Sequence, residues 1–214
     1  MHSGICYSYV RRCGCRKTRG FLLSRLDHLS THIEEGLHNI ILEFWFNEIS
    51  PSQWWKVDPA FDQMVVDRFS AIHAQANRCE LFEWRKEPKG RLAEIIVLDQ
   101  FSRNMHRSSP LAFASDPLAL ALAQEAVSAG SDMALAPEER SFLYMPYMHS
   151  ESKVVHEVAA RLFKANGLQS NYDFEIRHKT ILDRFGRYPH RNVILDRQST
   201  DEELAFLAQP GSSF

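Results

Sequence analysis

The sequence predicts an all-α protein of about eight helices, stacked as antiparallel neighbours in one array. Three observations predict it. Helix-start chemistry recurs along the chain, with an acid or hydroxyl residue ahead of a proline or an apolar run. Apolar residues repeat at three- and four-residue spacing. No stretch alternates strictly, and no hairpin dipeptide joins two apolar runs.

Each element has its own signal. The run IILEFWF (40–46) sits in a helix expected over 33–49. Asp58-Pro59, a cap acid before a first-turn proline, opens a helix over 58–77, whose stripe is Phe61, Val65, Phe69 and Ile72. RLAEIIVLDQFSRNMHR (91–107) spans most of one over 89–106. Asp116-Pro117 reads as the cap of a helix over 117–129, and Ala136-Pro137-Glu138-Glu139 opens 137–149, with acids where the macrodipole favours them. Pro146 is expected to interrupt or kink that helix. Ser150 then reads as the cap of 151–165, with Glu151 in its first turn and Val155, Val158, Ala159 and Leu162 as its stripe. Phe174, Ile181, Leu182 and Phe185 line 171–185, and Gly186 is placed as its left-handed stop. Thr200 and Glu203 form a capping box for 200–208. Short connections favour antiparallel neighbours, and no linker divides the chain beyond about residue 33.

Charge is uneven. Residues 1–26 hold Arg11, Arg12, Arg16, Lys17, Arg19 and Arg25 and no acid, while the formal net charge of the whole is −2. Cys6, Cys13 and Cys15 lie in the same stretch, leaving only Cys79 outside it. Residues 1–32 are therefore expected to be a basic, disordered extension, and 33–214 a single domain. A disulfide framework is not expected, and the domain suits the cytoplasm. Import into an organelle through residues 1–26 is the second reading. No run is long enough to cross a bilayer. The acidic remainder of the chain gives no reason to expect nucleic acid as a partner.

The stretch 91–107 carries the most information. On an ideal helix, at about 100° per residue, Asp99, Arg103 and Arg107 fall within roughly 60° of Leu92, with Gln100 and Asn104 close by. The first half of that helix is apolar nearly all round, so these groups sit above a buried surface. Polar groups there need partners or a cavity, because a lone buried charge costs several kcal/mol. A packing network and a ligand pocket fit equally. His178 falls in the apolar stripe of its own helix, where a hydrogen-bonded packing role is the commoner use. His149 and Glu151 stand where they could face the cavity of Asp99.

His149-Ser150-Glu151 has the spacing of a zinc-deaminase H-x-E, but no P-C-x-x-C accompanies it. There is no H-E-x-x-H, glycine-rich phosphate loop or G-x-S-x-G. Scattered histidines and acids give no ligand spacing, so no metal site or cofactor is assigned.

LDQFSRNMHR, FASDPLALALAQEA, FLYMPYMHSE and RFGRYPHRN, followed by STDEELAFL, resemble the bacterial domain of unknown function 924 family. The resemblance covers roughly residues 40–208. It implies an all-α, tetratricopeptide-like fold, although no 34-residue recurrence with the usual tetratricopeptide residues is present. It brings no reaction, substrate or cofactor.

Three functions fit these residues. The leading one is an internal Arg/His-rich pocket for a small anionic molecule. Gln100, Arg103, Asn104, Arg107, Arg187, His190, Arg191 and Asn192 would bind, since guanidinium groups take carboxylates and phosphates two-pronged. The second makes the pocket a hydrolase or phosphoryl-transfer site, with Asp99 or Glu151 as acid or base and His149 or His178 assisting. The third is a tetratricopeptide-like scaffold for a protein partner.

Overall fold

The computed structural model describes residues 36–212. The expected extension, 1–32, with its charge and three cysteines, lies outside the described residues. From Leu37 onward the chain forms one unit. It is all-α, and no strand occurs among the described residues.

Helix α1, residues 36–43, runs on into a π turn, Phe44–Glu48. Helix α2, Pro59–Asn77, begins as its sequence dictates: Asp58 accepts from the Ala60 and Phe61 amides at 3.0 and 3.3 Å. Its buried stripe is Phe61, Val65, Phe69 and Ala76. Phe69 stacks on Phe101, and both pack on Phe44. Each such burial contributes roughly 1.5–3 kcal/mol. Trp45 and Trp84 also lie in this core, whereas Trp55 is 63% exposed.

The centre of the molecule is α3, Pro88–Ile96, packed against α5, Asp116–Ser128, and α6, Pro137–Met148. Leu92, Ala93, Ile95 and Ile96 are fully buried. Gly90 lets the helix start lie against the Trp84 backbone; a Cβ there would come within 2.8 Å of the Trp84 carbonyl carbon. Ala119, Ala123 and Ala126 on α5 keep their side of the contact thin. Helix α6 runs through Pro146 to Met148, so the proline does not end it.

The stretch read as one ideal helix is not one. After α3 the chain makes a π turn, Val97–Phe101, before a short α4, Ser102–Met105. A π turn holds an extra residue per turn, so the residues after it are rotated away from their places on an ideal wheel. The helix ends before Arg107, which lies in a turn.

Helix α7, Lys153–Asn166, packs on both α6 and α8, Gln169–Phe185. Its cap is Ser152, not Ser150, and Glu151 falls in the connection before it rather than in its first turn. Phe174, expected in the α8 stripe, is 49% exposed, while His178, Ile181 and Leu182 are buried. Gly186 ends α8 at φ 70°. A single-turn 3₁₀ segment, Pro189–Arg191, comes next, and α9, Asp201–Leu207, closes the fold with the expected Thr200–Glu203 capping box.

Candidate functional site

The π turn aims Asp99 at the end of α6. Asp99 is 1% exposed. Its Oδ1 lies 2.8 Å from His149 Nδ1 and 3.0 Å from Arg103 Nη1, and its Oδ2 accepts from Gln100 Nε2 at 2.5 Å. Burial alone would push this carboxyl up. The charges of Arg103 and His149, with the His149 and Gln100 hydrogen bonds, outweigh that and hold it low, so Asp99 is ionised. An ionised carboxylate only accepts, so His149 donates from Nδ1 and presents Nε2 as a bare acceptor. Nε2 makes no hydrogen bond to any described residue. Burial, then Arg103, lower the His149 pKa against the pull of Asp99, which keeps the ring neutral.

Arg103 links this dyad to a second acid. Its Nη1 donates to the Asp99 carbonyl at 2.6 Å and to Asp116 Oδ1 at 3.0 Å, while Nη2 donates to Asp116 Oδ2 at 3.1 Å. Asp116, which the sequence presents as a helix cap, is the first residue of α5 and spends its carboxylate on Arg103. On its other side stands Arg191, with Nη1 3.7 Å from Asp116 Oδ2.

Arg191 is placed by the 3₁₀ turn after Gly186 and Tyr188. Its side chain is 7% exposed, and its Cζ lies 4.6 Å from the centroids of both Phe113 and Tyr188. It donates no side-chain hydrogen bond to any described residue, and its Nε is fully buried. Burial first, then Arg103, draw its pKa down.

Tyr188, fully buried, is the hub of the remaining groups. His178 meets its ring edge-on at 5.7 Å, and His190 lies against it at 5.6 Å. Its hydroxyl donates to the Met148 carbonyl at 2.5 Å. Burial pushes His178 down to about 3 and His190 down to about 4. His178 donates from Nδ1 to the Phe174 carbonyl at 2.8 Å, as a packing histidine does. Behind the hub, His156 and Glu175, both fully buried, pair at 2.8 Å.

Asp99, Gln100, Arg103, His149, His178, His190 and Arg191 thus come together. The other candidates do not join them. Glu151 accepts from Arg197 at 2.6 and 3.0 Å and from the Tyr188 amide at 2.8 Å, which ties the last turn to α7. Arg187 donates to Glu203 at 2.6 and 2.7 Å, and Asn192 donates to Glu203 and Ser199. Asn104 and Arg107 both grip Asp62 on α2, Arg107 from Nε at 2.6 Å and Nη2 at 2.8 Å. Arg184 pairs with Glu202 at the surface. Asp116, Phe113 and Tyr188 carry no sequence signal that marks them for the site. Among the described residues, no three His, Cys, Asp or Glu side chains are grouped to hold a metal ion, and no helix is long and apolar enough to cross a membrane.

The profile of a family of bacterial proteins of unknown function, domain of unknown function 924, matches residues 41–211. The chain belongs to that family. A solved structure of a protein of unknown function from Agrobacterium tumefaciens is similar to it. That protein is 37% identical, with a TM-score of 0.78 over 81% of this chain and 98% of its own. No curated protein matches. All of the segments that build the dyad and the Arg191 turn lie within the matched stretch.

Proposed function

We propose that the chain binds a small anionic molecule at Arg191, beside the Asp99–His149 dyad. One observation carries this reading. Arg191 is a buried guanidinium whose only ionic contact among the described residues is 3.7 Å long and whose Nε has no acceptor. A buried cation without hydrogen bonds is costly, and an anion in its plane removes that cost. The groups around it also converge on Asp116 and Tyr188 instead of spreading along an open groove. That supports a small ligand over a protein partner. In a thermal-shift screen, at least one small anion should raise the melting temperature of the intact protein. Arg191→Ala should abolish that response, and Arg103→Ala should weaken it. If no anion shifts the wild type, the reading is wrong.

A second reading makes the site a hydrolase or phosphoryl-transfer centre. The open Nε2 of His149, with Nδ1 fixed by Asp99, favours it, because that is the arrangement of a general base. Glu151 is engaged by Arg197 and Tyr188, which leaves the dyad as the base this reading needs. A hydrolase screen run with and without divalent metals tests it. Activity surviving in His149→Gln would remove the dyad from the chemistry.

A further inference from the structure

We infer that the edge of Arg191 takes a planar monocarboxylate in preference to phosphate or sulfate; this rests on the reading that Arg191 binds an anion. Three features argue for the carboxylate.

The first is the edge itself. In four other pairs in this chain, Arg78–Glu80, Arg85–Glu94, Arg107–Asp62 and Arg187–Glu203, an arginine uses Nε and Nη2 together to hold both oxygens of one carboxylate. The same two donors of Arg191 meet no acceptor among the described residues, while its Nη1 faces Asp116. They form a fork spaced for two coplanar oxygens.

The second is the surround. With Phe113 and Tyr188 both 4.6 Å from Cζ, the guanidinium is packed against two aromatic rings, and a ligand held by its donor fork lies in the guanidinium plane. A carboxylate is flat in that plane. A tetrahedral phosphate or sulfate carries oxygens out of that plane, where apolar ring neighbours offer them no donor in return for lost solvation.

The third is charge. Arg103 takes the close contacts of both Asp99 and Asp116, at 3.0 Å, which leaves Arg191 only a 3.7 Å contact to Asp116, and Glu151 is matched by Arg197. The site is neutral before a ligand arrives. One negative charge can be accommodated by the fork, but a second would sit close to Asp116 in a poorly solvated place, with no cation left to balance it.

The test measures binding to the intact protein by calorimetry, with acetate and benzoate as carboxylate probes and inorganic phosphate and sulfate as tetrahedral ones. Carboxylates should bind more tightly than either tetrahedral anion. Arg191→Lys, which keeps the charge but removes the fork, should weaken benzoate at least about tenfold. Phosphate or sulfate binding as well as benzoate overturns the carboxylate assignment but leaves an anion site standing. Binding of no probe overturns both. Unchanged benzoate affinity in a folded Arg191→Lys places the carboxylate elsewhere. If that variant does not fold, the ranking of the four probes on the wild type still decides.

Discussion

Asp99 and His149 are fifty residues apart in sequence and 2.8 Å apart in space, joining the π turn after α3 to the end of α6. The contact holds the imidazole in one tautomer and gives a fully buried carboxylate a partner. Asp99→Asn keeps the shape and removes the charge. Arg103 then retains Asp116 alone, so the variant should lose about 3 kcal/mol in urea unfolding. Because Asp99 holds the His149 pKa up, the same change should move the His149 titration further down, which an NMR titration of the ring would show.

Acid should unfold the protein early. His178 and His190 have folded-state values of about 3 and about 4, well below the usual histidine, chiefly because they are buried. The unfolded chain therefore binds more protons than the folded one between those values and about 6.5. Stability is full above about 6.5 and falls as the pH drops toward 4, by up to about 1.4 kcal/mol per pH unit for each histidine. Asp99 and Glu203, both lowered, add a loss of the same sign at lower pH, while Glu175, raised by burial, works the other way. His149, His156 and His190 around it add to the lowering of His178. His178→Gln should flatten the stability profile between about pH 6 and 4 by close to one proton. Equal slopes in both proteins would show that His178 titrates normally.

Much of the fold was legible because helix starts are local chemistry. Asp58 caps through the amides two and three residues on, and the Thr200–Glu203 box closes within four residues, so short sequence windows contain both partners. The site was legible only in part, because its partners are distant. Asp116 has the sequence look of a cap, yet its acceptor oxygens go to Arg103, which only the packing of α5 on the π turn before α4 brings near. The π turn is invisible to a wheel of fixed pitch, and it is what separates Asp99 and Gln100 from Asn104 and Arg107. Arg187 and Arg191 lie only four residues apart in sequence. The tight turn between them sends one to Glu203 and the other to Asp116.

That division predicts that Arg187 serves stability alone. Its guanidinium neutralises Glu203, which is 3% exposed and is also the box residue of α9. Arg187→Ala leaves that carboxylate buried with only Asn192 and the Thr200 amide as donors. It should lower the midpoint of chemical denaturation and leave anion binding at Arg191 unchanged. Lost binding in a folded Arg187→Ala would tie the two arginines into one site.

Gly90 offers the sharpest test of how the core positions the dyad. It sits at the start of α3, where a Cβ would meet the carbonyl carbon and oxygen of Trp84. Those are backbone atoms of the preceding 3₁₀ segment, Phe82–Lys86, which is itself anchored by the buried ring of Trp84 and by Arg85 on Glu94 at 2.7 Å. Neither side can rotate out of the way, so either the segment or α3 has to shift. Gly90→Ala would ordinarily favour a helix by up to about 1 kcal/mol. Here overpacking should reverse the sign and destabilise by about 2–3 kcal/mol, read from the urea midpoint. A shift of α3 also moves the π turn that carries Asp99, so the His149 ring resonances should move although Gly90 touches neither residue. A Gly90→Ala protein as stable as the wild type, with unshifted His149 signals, would show that the approach to Trp84 is loose enough to admit a methyl group.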